Sequence, residues 1–326
     1  MADKRQRGMA PGALIGCCLL IAVLSGLGTG YFYMKEKYSG SAVAYSHEQL
    51  RALDENSFDY KIASRFYSAE ELKSIRTNTV EMDPIDAPDE NAEHEKMRLE
   101  HITGSTYEGW MLLVYDPDLV KVAVNPAMDS GAQAPSLVDY VRNNNAIAGI
   151  NAGGFEDAGG TGNGGLAYGI VVHEGKLISG GLNEYQSVIG IDKEGKLICS
   201  GMTGQQALDW GIQEGVTFGP TLITNFHQVF KEGQGDVPYL NPRTAIGQRP
   251  DGTFLLLVLD GRGPSSFGAK YQDIVDVMFD YGAYMASNLD GGNSTAMIYN
   301  GEYVNKTVSM YGSRHLPTAF IVMEGE

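Results

Sequence analysis

The chain has 326 residues, of which 43% are hydrophobic, and its 24 basic and 40 acidic side chains give a net charge of −16. A chain of this length and apolar content can bury a sizeable core, which excludes an intrinsically disordered protein. The negative charge argues against nucleic acid as a partner. It also means that any anionic ligand must be met by a local cation, because the overall field repels it.

The N-terminus carries an uncharged, largely apolar stretch, residues 9–34, which follows three basic residues. About 20 apolar residues span a bilayer as a helix, so this stretch predicts one transmembrane anchor. Residues 1–8 would then stay in the cytoplasm, and the rest of the chain would lie outside as a single-pass protein of the cell membrane. A cleaved signal peptide and a lipoprotein signal ending at Cys17 are the two alternatives.

Residues 35–101 are predicted to form an acidic linker with short helices. Ser68 and Glu71 have the spacing of a helix capping box. Residues 81–100 are rich in acidic side chains and contain two prolines, which is typical of a solvated segment. Cys199 is the only cysteine beyond the predicted anchor, so we expect no intrachain disulfide there.

Residues 102–326 are predicted to form the compact domain. Two strands joined by a turn come first, and helices start at Ser136 and near Tyr271, where apolar residues recur at helical spacing. Three hairpins turn at glycines; they are the segments AYGIVVHEGKLIS, SVIGIDKEGKLICS and RTAIGQRPDGTFLLLVLDGR. The pattern predicts an α+β fold with one large mixed sheet, several hairpins and a few helices, preceded by one N-terminal transmembrane helix.

Three predicted strands end in a polar residue that closely precedes glycine. Asn151 ends the segment AIAGI, Asp260 ends FLLLVLD and Asp290 ends MASNLD. Sheets commonly present ligand sites at strand ends, and glycine lets the backbone approach a ligand closely. Each Asp-Gly pair taken singly is explained as well by an ordinary turn, but three such ends in one domain favour a shared site.

Arg243 and Arg262 are the candidate cations. The planar guanidinium fork binds phosphate or carboxylate in two places and stays charged throughout the physiological pH range. An ion pair with Asp260 is the structural alternative for either arginine. His227 and His315 remain open as site residues. The sequence contains no paired-histidine or paired-cysteine metal motif and no phosphate loop, and GGNST lacks the closing glycine of a serine hydrolase motif.

Four motifs, AIAGINAGGF, FGPTLI, PRTAIGQRPDGTFLLLVLDGR and NLDGGNSTAM, occur in this order. Together they resemble the phosphodiester glycosidase family over residues 102–326, a family whose bacterial members are often labelled exopolysaccharide biosynthesis proteins. The resemblance implies hydrolysis of a sugar-1-phosphodiester at the glycosidic carbon, in cell-envelope or exopolysaccharide metabolism. It implies catalytic roles for Asp290, Asp260 and Arg243. The substrate-binding residues that it implies are Asn151, Gly153, Arg262, Gly291, Gly292, Asn293, Ser294 and Thr295.

Two other functions fit the same residues. A non-catalytic envelope module would hold an anionic polysaccharide, and a metal-dependent phosphodiesterase would attack phosphorus. Carboxylates at strand ends suit Ca²⁺ or Mg²⁺, so the sequence leaves a divalent cation open without requiring a cofactor. The expected partners are a sugar phosphodiester or a phosphate-containing polysaccharide, and the membrane through the N-terminal helix.

Overall fold

The computed structural model describes residues 96–157, 162–231, 239–308 and 314–325, together with residues 28, 30, 61 and 65. The predicted anchor and linker therefore lie almost entirely outside the described residues. No helix within the described residues is long and apolar enough to cross a membrane. The first strand begins at Met97, so the last residues of the segment predicted as linker are part of a strand.

Strands and α-helices follow one another along the described residues. The first part contains β1 (Met97–Thr103), β2 (Glu108–Val114), β3 (Val120–Val124), α1 (Leu137–Asn143), β4 (Ala146–Asn151), β5 (Val171–His173), β6 (Lys176–Ser179), β7 (Tyr185–Asp192), β8 (Leu197–Thr203), α2 (Gly204–Asp209) and β9 (Ile212–Thr217). The second part contains β10 (Thr221–Thr224), β11 (His227–Gln228), β12 (Arg243–Gln248), β13 (Phe254–Leu259), α3 (Tyr271–Asp280), β14 (Met285–Asn288), β15 (Met297–Tyr299), β16 (Glu302–Tyr303) and β17 (Thr318–Met323).

The strands of the described residues form three sheets. The first has the order β1-β2-β13-β12-β14-β10-β11, the second β16-β15-β4-β17-β3 and the third β6-β5-β9-β7-β8. All the strand pairs within them are antiparallel.

The α+β class agrees with the sequence-based prediction, whereas the prediction of one large mixed sheet does not. The reason is visible at the short 3₁₀ helix Pro117–Leu119, which separates β2 from β3. β2 pairs with β1 and β13 in the first sheet, while β3 pairs with β17 in the second. Consecutive strands thus join different sheets. The alternation of apolar and polar residues along a strand does not show which strands pair with it.

The three sheets pack around one central core. This core combines side chains of the first sheet such as Leu112, of the second such as Ile150 and Phe320, and of the third such as Ile189 and Val216. Each sheet also buries its outer face under one helix: α3 covers the first sheet, α1 the second and α2 the third. Because strands are buried on both faces, several read as continuous apolar runs rather than as alternating ones.

The local signals in the sequence account for the element boundaries. Ser136 caps α1 and exchanges hydrogen bonds with Asp139 in a complete capping box. α3 buries Ile274 and Met278 on one face and ends just before Gly282. The three predicted hairpins are confirmed as β5–β6, β7–β8 and β12–β13.

Candidate active site

The ends of two strands from different sheets are joined by hydrogen bonds. The backbone N–H of Asp290, beyond β14, donates to the carbonyl of Ala152, beyond β4, at 3.1 Å. The side-chain Nδ2 of Asn151 donates to the carbonyl of Asp290 at 2.5 Å. The two glycine-containing motifs that the sequence singled out are therefore in direct contact.

Asn151 is fully buried, and its hydrogen bonds go to the protein. Its Oδ1 accepts from the hydroxyl of Thr244 in β12 at 2.8 Å and from the backbone N–H of Ala296 at 3.1 Å. A buried amide with several satisfied bonds of this kind rigidifies its surroundings. The structure therefore places Asn151 as the residue that holds the Asp290 loop against the first and second sheets.

An open cleft of about 140 Å³ lies beside Asp290. It is lined by Gly154, Phe155, Asp157, Tyr168, Phe218 and Asp290. A Cβ atom at position 154 would lie 3.1 Å from the ring of Phe218, so glycine keeps this wall compact. The lining combines three aromatic rings with two carboxyl groups, which is the mixture of apolar walls and few polar groups found in small-molecule sites.

Asp290 is half-buried beside the cleft, and burial raises the pKa of its carboxyl to about 6. Hydrogen bonds from the Ser294 side chain and from the Gly291 backbone act in the opposite direction, because they stabilise the ionised form. Asp290 is thus oriented by two donors and changes its charge close to neutral pH, a property common among reacting carboxyl groups.

A salt bridge between Asp157 and Arg314 lies close to Asp290. The two terminal nitrogens of Arg314 donate to the two carboxylate oxygens of Asp157 at 2.6 and 2.7 Å. The guanidinium also lies 4.8 Å from the ring centre of Phe155. Hydrogen bonding to Arg314 lowers the pKa of Asp157, and the positive charge of Arg314 also acts on Asp290. The cleft therefore holds two carboxyl groups whose pKa values are shifted in opposite directions.

Asp260 has a different environment from Asp290. It is 4% exposed, and its carboxylate accepts from Asn305 Nδ2 at 3.0 Å and from the backbone N–H of Lys306 at 3.2 Å. Burial raises the pKa of Asp260 despite these hydrogen bonds. The structure uses this carboxylate to anchor the segment before β17, and Asp260 is not part of the cleft lining.

Arg243 also lies outside the cleft lining. It is buried on the side of the first sheet that faces α3, where its guanidinium lies 4.2 Å from the ring centre of Tyr271. Its Nε donates to the carbonyl of Ala269 at 3.0 Å. The structure therefore separates two of the three predicted catalytic residues, Asp260 and Arg243, from the groups that line the cleft with Asp290.

The remaining predicted site residues surround the Asp290 loop. Gly153 donates its N–H to the Thr318 hydroxyl at 3.0 Å, and Thr295 is buried with a hydroxyl that has no hydrogen-bond partner among the described residues. Gly292 begins the short 3₁₀ helix Gly292–Ser294 with a positive φ of 60°, a conformation that glycine adopts at low cost. Asn293 and Arg262 are exposed and bond to each other at 2.7 Å.

Sequence reasoning missed the other residues of the cleft lining and also Arg314, which pairs with Asp157. Asp157 follows NAGGF by two residues, and Arg314 directly precedes His315, which was considered as a site residue. An acidic residue just after a glycine motif and an arginine just before the last strand were the available signals. The two residues are 157 positions apart in the chain, and only the folded structure shows that they form a salt bridge. Within the described residues, no group of three His, Cys, Asp or Glu side chains is arranged to hold a metal ion.

Comparison with known proteins decides the family. A model of the phosphodiester glycosidase family matches residues 144–323, more than half of the chain. The chain belongs to the phosphodiester glycosidase family. The match includes β4, the Asp290 loop and Arg314, so the cleft lies within the family domain.

Solved structures share the fold of this chain. The catalytic domain of zebrafish N-acetylglucosamine-1-phosphodiester alpha-N-acetylglucosaminidase, auto-inhibited by its pro-peptide, is 18% identical with a TM-score of 0.59, over 72% of this chain and 85% of that chain. A hypothetical protein from Synechocystis is 17% identical with a TM-score of 0.50, over 69% and 62% of the two chains. At such identities the likeness is one of fold.

A curated relative is similar over a short stretch. The SPbeta prophage-derived uncharacterized protein YomE of Bacillus subtilis is 39% identical over 70 residues, which are 22% of this chain and 11% of that protein. The aligned stretch thus covers about a tenth of that relative's length.

Proposed function

We propose that this chain hydrolyses the glycosidic bond of a sugar-1-phosphodiester, with Asp290 as the reacting carboxylate. The observation that supports the proposal is the position of Asp290: its carboxyl is oriented by Ser294 and Gly291 and borders an open cleft with aromatic walls. The zebrafish relative is named as an N-acetylglucosamine-1-phosphodiester alpha-N-acetylglucosaminidase. Diesters of this sugar are therefore the first substrates to test.

The chemistry of the leaving group suits this set of side chains. Most glycosidases use one carboxylic acid to protonate a poor leaving group and a second carboxylate at the opposite side. A phosphate monoester is a good leaving group, so positive charge beside it can replace much of the acid's role. We assign this role to Arg314, which lies beside the cleft against Phe155, and Asp157 holds its guanidinium in place.

Each group of the cleft then has a role in one step. The faces of Phe155, Tyr168 and Phe218 offer apolar surface to the C–H face of a sugar ring. Ionised Asp290 stabilises positive charge at the anomeric carbon, or attacks it. The bond from this carbon to the phosphate oxygen breaks, and its electron pair leaves with the phosphate monoester. Water then forms the new bond to the anomeric carbon and displaces the Asp290 carboxylate where that has attacked first. The oxygen of water stays on the sugar, and its proton passes to the released phosphate monoester or to solvent.

We place this reaction outside the cytoplasm, at the cell membrane, and in the metabolism of envelope or exopolysaccharide phosphodiesters. The apolar stretch 9–34 and the basic residues before it support the location. The family resemblance supports the role. A membrane-anchored enzyme would act on polymers close to the surface on which they are made.

Hydrolysis in ¹⁸O-labelled water tests which bond breaks. Attack at the anomeric carbon puts the label on the sugar, whereas attack at phosphorus puts it on phosphate. We expect the label on the sugar for the full-length chain acting on an N-acetylglucosamine-1-phosphodiester, analysed by mass spectrometry. Label on phosphate would identify a phosphodiesterase instead. Binding without turnover of any sugar phosphodiester would identify a polysaccharide-binding module.

A further inference from the structure

An exposed arginine just beyond the end of β13 is held by two neutral side chains. Arg262 Nη1 donates to Oδ1 of Asn293 at 2.7 Å, and Nη2 donates to Oδ1 of Asn241 at 2.9 Å. These three residues are called the Arg262 cluster below. Within the described part of the chain, no carboxylate pairs with this guanidinium. The two amide oxygens orient the positive charge but do not neutralise it.

The backbone around the Arg262 cluster is fixed in an uncommon conformation. Arg262 has a positive φ of 57°, and its N–H donates to the carbonyl of Phe267 at 3.2 Å. Gly292 has a φ of 60°, and a Cβ atom there would lie 3.3 Å from Arg262 Nη2. Non-glycine residues in this region of φ are uncommon and often belong to functional sites.

A second arginine, Arg243, is linked to the Arg262 cluster through one shared backbone carbonyl. The carbonyl of Tyr239 accepts from Asn241 Nδ2 at 3.3 Å and from Arg243 Nη2 at 3.4 Å. Arg243 likewise has no carboxylate partner among the residues that the structure describes. Among the described residues, two arginines without a carboxylate partner are thus linked through Asn241 and Tyr239, in a protein of net charge −16. Tyr239 and Phe267, whose carbonyls accept from Arg243 and from the backbone of Arg262, are 69% and 62% exposed.

The Arg262 cluster is separate from the groups that surround the reacting carboxyl. The charged groups that act on Asp290 are Arg314 and Asp157, and no member of the Arg262 cluster lines the cleft. Asn293 belongs to the same loop as Asp290 but directs its side chain to Arg262. The cluster therefore lies near the reaction without taking part in the breaking of the bond.

We infer that the Arg262 cluster is a second anion subsite, which holds a phosphate or a sugar carboxylate carried by the aglycone of an extended substrate. The inference rests on the proposed function for the identity of the substrate. A guanidinium binds both oxyanions through its fork, and each terminal nitrogen of Arg262 uses only one of its two N–H groups on an asparagine. The substrate class is then a glycosyl phosphodiester polymer with repeated negative charges.

Binding to the full-length Asp290→Asn chain tests this inference without turnover. The probes are three N-acetylglucosamine-1-phosphodiesters whose aglycones are glycerol, glycerol-3-phosphate and glycerate, and calorimetry gives Kd for each. We expect one or both anionic aglycones to lower Kd by about tenfold relative to glycerol, as charge-assisted hydrogen bonds typically do. The tighter of the two identifies the preferred oxyanion.

Substitutions on this background assign the effect to the cluster. Arg262→Met should bring the ratio of the Kd values close to one, and Asn293→Ala should reduce it by a smaller factor. Arg142→Met is the matched control, because Arg142 is an exposed arginine paired with Asp139 on α1, and it should keep the full ratio. Circular dichroism checks that each variant folds.

Two results would overturn the subsite. One is equal Kd values for all three probes in the parent chain, and the other is a ratio that survives in Arg262→Met. Hydrolysis of the glycerol diester by the wild-type chain is measured separately. If it occurs while the Kd values are equal, only the subsite fails. If the Arg262-dependent ratio is found but nothing is hydrolysed, only the proposed reaction fails.

Discussion

The Asp290 carboxyl combines orientation by two donors with a pKa near neutrality. Asp290→Asn keeps the size of the side chain and removes the charge that the proposed step needs. We expect kcat to fall by about 10²–10⁴-fold or more while the fold is retained, because loss of a nucleophile or general base has effects of this size. Single-turnover kinetics on a sugar-1-phosphodiester measure the loss. Wild-type turnover in this variant would remove Asp290 from the mechanism.

Asp260→Asn is the matched control for this experiment. The Asp260 carboxylate is buried and accepts from Asn305 and the backbone of Lys306. The side-chain NH₂ group of an asparagine would face the N–H donors that now bond the carboxylate. We therefore expect a loss of about 1–3 kcal/mol in the free energy of unfolding. Urea denaturation measures it. A loss of turnover as large as that of Asp290→Asn, without destabilisation, would restore Asp260 as a catalytic residue.

The pH dependence follows from the raised pKa of Asp290, which is about 6. The proposed role needs the ionised form, so kcat/KM should rise with pH through about 6 and be lost as the pH falls below it. Arg314→Met removes a positive charge that lowers this pKa, so the rise should move to higher pH. Rates measured between pH 4 and pH 8 test both points. A rate that falls as the pH rises through 6 would make Asp290 the acid instead.

Asp260 and Asp290 have nearly the same sequence context, an apolar strand followed by Asp-Gly. The sequence correctly placed both at strand ends. It could not separate them, because the difference arises from Asn305 in one case and from Arg314 and Asp157 in the other. Those partners are distant in the chain. The environments of Arg243 and Arg262 could not be predicted either. Arg243 is buried against Tyr271 and Arg262 is exposed beside Asn293, and this difference depends on tertiary packing.

Two sheets are joined by one buried side chain at the end of β12. Gln248 Nε2 donates to the carbonyls of Gly195 and Gly252, and its Oε1 accepts from the N–H of Leu197 and the hydroxyl of Tyr284. Gly195 and Leu197 belong to the β7–β8 hairpin of the third sheet. The amide is fully buried, and its bonding capacity is used on both sides.

Gln248→Met keeps the length of the side chain but removes these hydrogen bonds. We expect the free energy of unfolding to fall by about 2–4 kcal/mol, because buried donors and acceptors are left unpaired. Gln205→Met on α2 is the control: its amide bonds Asp209 in an exposed position, and the change should stay within about 0.5 kcal/mol. Urea denaturation of both variants provides the comparison. If Gln248→Met had the same free energy of unfolding as the wild-type chain, Gln248 would not be holding the two sheets together.

Elements with strong local signals were predictable from the sequence. The helix start at Ser136, the helical spacing before Gly282 and the glycine turns of the three hairpins all appear in the structure. β1 was not predicted as a strand, since its residues alternate weakly and several are charged. It forms because β2 pairs with it over seven residues.

The location of the whole molecule depends on residues 9–34, of which only residues 28 and 30 are described. If they form an uncleaved anchor, the full-length chain should need detergent for extraction, and protease added to intact cells should digest the rest of the chain. Immunoblotting of membrane and soluble fractions gives the result. A released chain with a new N-terminus near residue 30 would indicate a cleaved signal peptide, and acylation of Cys17 would indicate a lipoprotein.

The arrangement of three sheets around one core could not be read from the sequence. Strand patterns gave the class, and the order of the four motifs gave the family, because both are properties of the linear chain. The partition of the strands depends on pairing between distant segments, such as β2 with β13. The cleft lies where the sheets meet, so its lining depends on that partition.

The attachment of the Asp290 loop has a consequence for how heat inactivates the protein. Asn151 and Ala152 of the second sheet hold the backbone of Asp290, and Gly292 donates to the carbonyl of Pro242 at the start of β12. A loop that is hydrogen-bonded on both sides does not open locally at a low free-energy cost. We therefore expect the Asp290 carboxyl to lose its position only when the first and second sheets separate, so that the Asp290 loop and the core melt in a single transition.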